Sequence, residues 1–195
     1  DFIAGYLLSN MSANSTNWQL NSISFLVYSI VAFGGQLPAG IIVDKSKKIK
    51  LFSLISLSLM LFAIAFSYVN IFVAILLSGI ASAFIHVCGG AACYVSDNKS
   101  STLAGIFTSP GVVGLILGGI IGTMQFHFFF VFAFVLIAIL FFLIKIKIPS
   151  YSAIPETKNE SLLDTHDFFM LILLLAITFR SLFWNIAHMM CFENN

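Results

Sequence analysis

The chain has 195 residues, of which 59% are hydrophobic and only 9% charged, with a net charge of +1. A soluble domain carries about 25% charged residues, so an ordinary globular domain is excluded. The lysines are scattered over short gaps with no basic face, which excludes a nucleic-acid partner, and a mean hydropathy of +1.03 makes the lipid bilayer the expected surrounding.

A spanning helix needs about 20 mostly apolar residues. The opening stretch from Phe2 to Leu8 is shorter than that. The chain begins at Asp1 without a Met and reads as cut within a first helix. It has no basic n-region, so it is not a signal peptide. After the uncharged loop SNMSANSTNWQLNS, with Trp18 as an interfacial anchor, a second helix is predicted over 19–43. DKSKKIK forms a short loop. The third helix, 51–69, has no Gly, Pro or charge. The fourth, 70–95, contains His86 and the pair Gly89-Gly90. Its cysteines, Cys88 and Cys93, lack metal-ligand spacing and read as small hydrophobes. SDNKSS leads to a glycine-rich fifth helix, 102–123, and TMQFH to a plain sixth, 126–147. A polar stretch with Pro149 and Pro155 follows. The seventh helix, 167–189, carries Arg180, Trp184 and Asn185.

Charge orients these spans. Lys45, Lys47, Lys48 and Lys50 share one gap, Lys99 lies in another, and Lys145, Lys147 and Lys158 in a third. The alternate gaps, roughly 9–20, 68–70 and 123–127, carry no Lys or Arg. Positive charge stays on the cytoplasmic side, so the expectation is a multi-pass protein of the cell membrane with a cytoplasmic N-terminus. The second, fourth and fifth helices hold the glycines, whereas the third and sixth have none and read as a lipid-facing periphery. The pattern is three-plus-three. The predicted fold is therefore all-α, a polytopic transmembrane bundle. Residues 1–147 form a six-helix bundle, 148–166 a cytoplasmic inter-domain loop, and 167–195 the first helix of a truncated second bundle.

The segment GIIVDKSKKIK resembles the loop signature of the major facilitator superfamily, G-x-x-x-D-[RK]-x-G-[RK]-[RK]. Gly40, Asp44, Lys45 and Lys48 match, and Lys47 stands where the second glycine is usual. The bland alternative is a generic positive-inside loop. FIHVCGGAACYVSDNKSSTLAGIFTSPGVVGLILGGIIG looks like the fourth-to-fifth helix region of the fosmidomycin-resistance-like branch. DFIAGYLL resembles the end of that branch's first helix, with only the Asp of a His-x-x-x-Asp pattern present, as Asp1. Arg180-Ser181 in the seventh helix is also similar. The resemblance implies a secondary active transporter working by alternating access, of which this chain holds the first half plus one helix, with the second half missing. It also implies a gating role for the loop, because the acid can make and break a charge-assisted bond.

In the fifth helix Gly114, Gly118 and Gly122 form a stripe with Gly111 beside it, and Pro110 removes a backbone donor. A hinge and a close-packing face are both open readings. Ionisable groups inside the membrane are functional candidates by default. His86 and Arg180 qualify, and the resemblance sets their helices, with the one that starts at Asp1, around the central cavity. Each has a plain alternative: His86 bonding a backbone carbonyl, Arg180 snorkelling outward, Asp1 sitting at an interface. The expected partners are a small molecule, with Arg180 favouring an anionic group, and protons through His86. No Ser-His-Asp, metal or phosphate-binding pattern occurs, so no enzyme activity, metal or cofactor is expected. The rival reading is a non-transporting fragment, or a half-size subunit that assembles as a dimer.

Overall fold

The computed structural model describes residues 1–96, 102–124 and 129–147, with 172, 175 and 179. The chain separates into two compact units, Asp1–Ala153 and Ile154–Asn195. Arg180 and the remainder of the predicted seventh helix lie outside the described residues. All regular structure among the described residues is helical. Four helical segments, Trp18–Ser46, Ile49–Phe66, Ile71–Ser96 and Gly105–Thr123, are long and apolar enough to cross a membrane. The protein is a helical membrane protein. In lipid every backbone donor needs a partner in its own segment, so the apolar runs become helices.

The first unit contains α1 (Phe2–Asn14), α2 (Trp18–Ser29), α3 (Gln36–Ser46), α4 (Ile49–Phe66), α5 (Ile71–Ser96), α6 (Thr102–Thr123) and α7 (Phe129–Lys145). Helices outrun their apolar stretches where caps allow. α1 runs on through the polar SNMSAN, and α2 begins when Asn17 Oδ1 accepts from the Leu20 N–H at 3.2 Å. α3 also continues past the expected loop start, so Asp44 and Lys45 lie in its last turn rather than in a loop. A lysine there faces the negative end of the helix dipole. Lys47 ends the helix in the left-handed region, φ 58°, where glycine is usual at a helix C-terminus.

α2 and α3 are one rod joined by a π-helical turn, Ile30–Gly34. The buried stripe Ser24, Tyr28, Ala32, Ala39 and Val43 spans nineteen residues, against about 18 for five regular turns. The wide turn absorbs the extra residue and keeps one face on α5. Gly35 is needed there, because a Cβ would overlap the Val31 carbonyl and approach the Ala83 Cβ to 3.3 Å.

α1 is the most enclosed element, with Ala4, Tyr6 and Leu7 fully buried. It runs parallel to α6, packed on the glycines of that helix. Phe132 of α7 closes over it, edge-on to Phe2 and Tyr6 at 5.1 and 5.0 Å. α4 lies along α5 with one packed face and one exposed face. Ser53, Ser56, Met60 and Ala63 form the buried stripe, Ser56 Oγ donates to the Ala81 carbonyl at 2.6 Å, and Leu51, Ile55, Phe62 and Phe66 are exposed, as a peripheral helix requires. Serine and alanine are small enough to serve where glycine was sought.

Lys50 ties the ends together. Its Nζ donates to the carbonyls of Ile144 and Ile146, at 2.6 and 2.8 Å. The start of α4 and the end of α7 therefore share one end of the bundle, and the lysines around both gather there. Val43, Ile49, Cys88 and the stacked Phe52–Phe84 pair form an apolar layer at that end.

Candidate functional site

Three helices bring their polar groups to one point. α1 starts at Asp1. α5 places Ser82 and His86 one turn apart on the same face, since residues four apart are neighbours on a helix surface. Ser82 Oγ donates to Asp1 Oδ1 at 2.9 Å. His86 Nε2 lies 3.0 Å from Asp1 Oδ2 and 3.3 Å from Oδ1. α2 adds Tyr28, almost wholly buried, whose hydroxyl interacts with the Ser82 side chain. The result is a polar line, Tyr28–Ser82–Asp1–His86.

The depth of this cluster matters. At ~1.5 Å per residue, His86 sits ~22 Å from the Ile71 end of α5 and ~15 Å from the Ser96 end. An ionised group so placed is costly unless paired or wetted. Here carboxylate and imidazole are hydrogen-bonded to each other, and side-chain exposures of 23% for His86 and 15% for Asp1 leave the pair partly accessible. Ser82 fixes the carboxylate that faces the imidazole.

α6 completes the surround. Gly111 faces the pair, and a Cβ there would come 2.5 Å from Asp1 Oδ2 and 3.7 Å from His86 Cε1. Pro110, its neighbour, lies inside α6, where its ring removes the bond to the Ile106 carbonyl. The Phe107 and His86 rings stand nearly perpendicular, at 75°, with centroids 6.0 Å apart.

The other candidates fall elsewhere. Gly114 lies against Phe2. At Gly118 a Cβ would overlap the Phe2 carbonyl oxygen, and at Gly122 it would come 2.6 Å from that of Tyr6. Asp44, Lys45 and Lys48 are exposed near the end of α3, and the space beside Gly40 is open. These residues at the end of α3 do not join the Asp1–His86 pair. Arg180 lies outside the described residues.

Sequence reading passed over Ser82, Tyr28 and Phe107. Ser82 had a usable signal, since it stands four residues before His86. Tyr28 had none, because the π turn that keeps it on α5 has no residue pattern beyond Gly34-Gly35. Neither a protein-family model, nor a curated protein, nor a solved structure matches this chain.

Proposed function

We propose that the chain belongs to a secondary active transporter of the major facilitator type, which moves a small molecule by alternating access with protons as the coupling ion. The observation that carries this reading is the Asp1–His86 pair at mid-depth, held by Ser82 at 2.9 Å. A packing helix gains nothing from an aspartate and a histidine at this depth. A path that must take up and release a proton needs such a pair. α1 and α5 are the first and fourth spans of the sequence reading, which the resemblance sets around the cavity. The lysine-bearing end is the cytoplasmic one in this reading, and Asp44 with Lys45 and Lys48 would form the gating loop. Arg180, on the first helix of the second bundle, would meet an anionic substrate group.

The test is a pH-gradient assay on the full-length protein in proteoliposomes. Asp1→Asn and His86→Ala should each reduce gradient-driven substrate accumulation to the level of empty vesicles, with protein yield unchanged. The parent's activity should change between about pH 5 and 8, where an imidazole gains its charge, and His86→Ala should flatten that profile. Normal accumulation in both variants would assign the pair to packing and favour the non-transporting reading.

A further inference from the structure

The Asp1–His86 pair is closed differently on its two sides. Away from the lysine-bearing end, α1 and α6 lie backbone against backbone. Phe2 and Tyr6 carbonyls sit where Cβ atoms of Gly118 and Gly122 would be. Opening that side means parting two helices. Toward the lysine-bearing end, the next turn of α5 beyond His86 is Gly89-Gly90, and the preceding turn of α6 before Gly111 carries Phe107. The ring of Phe107 fills the place a side chain at Gly89 would take, so a Cβ there would overlap it. The same ring stands nearly perpendicular to that of His86, with centroids 6.0 Å apart. Phe107 thus meets both Gly89 and His86 on that side.

We propose that Phe107 is the gate of the Asp1–His86 pair. Seated on the bare backbone of Gly89, its ring shuts the pair off from the lysine-bearing end. A change of side-chain rotamer lifts it away and admits water or a proton. This rests on the transporter reading for its purpose, but not for its geometry. A side chain can hop between staggered rotamers without moving the helix that carries it. Glycine at 89 gives the closed ring its seat and leaves that seat empty when the ring departs. Gly111 opposite leaves room for the carboxylate, so the pair is not disturbed by the motion. Phe107 acts through access to His86 and is a positioning residue, not a proton carrier.

The experiment measures the rate at which diethyl pyrocarbonate carbethoxylates His86 in the full-length protein in proteoliposomes, read by peptide mass at fixed pH. Phe107→Ala should raise the rate about tenfold, because the ring then no longer shields the imidazole, which is 23% exposed with the ring in place. Phe107→Leu, which keeps an apolar plug, should stay within about twofold of the parent. Gly89→Ala should also raise the rate, because the added methyl unseats the ring while the ring itself is retained. This second route holds even if Phe107→Ala fails to fold. A parent-like rate in folded Phe107→Ala, or in Gly89→Ala where Phe107→Ala does not fold, overturns the gate. The labelling needs no transport. Faster labelling in a protein that moves no proton would keep the gate and refute the transporter reading.

Discussion

Two helix interfaces in this bundle solve the same problem by different means. In lipid there is no hydrophobic force between helices, so contact must come from close packing and polar bonds. Between α1 and α6 the means is glycine. Gly5, Gly118 and Gly122 remove side chains wherever the backbones meet, and a Cβ at Gly5 would overlap the Leu115 carbonyl. Between α4 and α5 the means is serine and alanine. Ser56 reaches the Ala81 carbonyl at 2.6 Å, and Ser53 is buried one turn away on the same stripe of α4. At Gly5, Gly118 and Gly122 this interface has no room for an added Cβ. The serine interface has a side-chain layer that can adjust, and it supplies hydroxyls.

The comparison can be broken most sharply at Gly118. Gly118→Leu places a branched side chain on the Phe2 carbonyl, and the bundle should lose more than about 3 kcal/mol, or fail to yield a monodisperse species in detergent. The control is Phe142→Leu on the exposed face of α7, which should stay within about 0.5 kcal/mol of the parent. Equal unfolding midpoints for the two variants would mean that α1 does not lie on the glycines of α6.

Ser56→Ala tests the other interface. The Ala81 carbonyl keeps its own helical bond, so only the interhelical bond is lost, at a cost of about 0.6–1.7 kcal/mol. Unfolding in mixed micelles would measure it, and a loss comparable to that at Gly118 would erase the distinction drawn between the two interfaces. The smallest effect is expected at Gly90, where nothing lies within 4 Å of an added Cβ. Gly90→Ala should stabilise by up to about 1 kcal/mol through helix propensity. Destabilisation there would show that glycines of α5 serve contacts as tight as those of α6.

Much of the helical order was legible in the residues. The predicted 102–123 coincides with α6, and 70–95 differs from α5 by one residue at each end. The errors share one cause. The expected loop at 44–50 and the polar run after Leu8 were read as loops because they are hydrophilic, yet a helix ends where its cap is, at Lys47 and Ser15. Polarity marks the membrane boundary and not the helix boundary. The plain third helix does expose Leu51, Ile55, Phe62 and Phe66, but its packed face uses Ser53 and Ser56 where glycine was taken as the mark of contact. At the site, His86 and Asp1 were legible singly, as ionisable groups out of place in an apolar chain.

What the sequence determined by itself is local: that apolar segments of sufficient length become helices in lipid, because the backbone has no other donors or acceptors there, and that the lysines favour one end. Which helices touch was decided only by the tertiary structure. Gly118 meets Phe2, Lys50 meets Ile144, and Asp1 meets His86 across separations of more than eighty residues. No hydropathy pattern encodes such meetings, because in lipid they depend on the fit of surfaces and the pairing of polar groups from distant segments. The single extra residue absorbed at Ile30–Gly34 decides that Tyr28 faces α5 along with Val43, and so which groups the polar line contains.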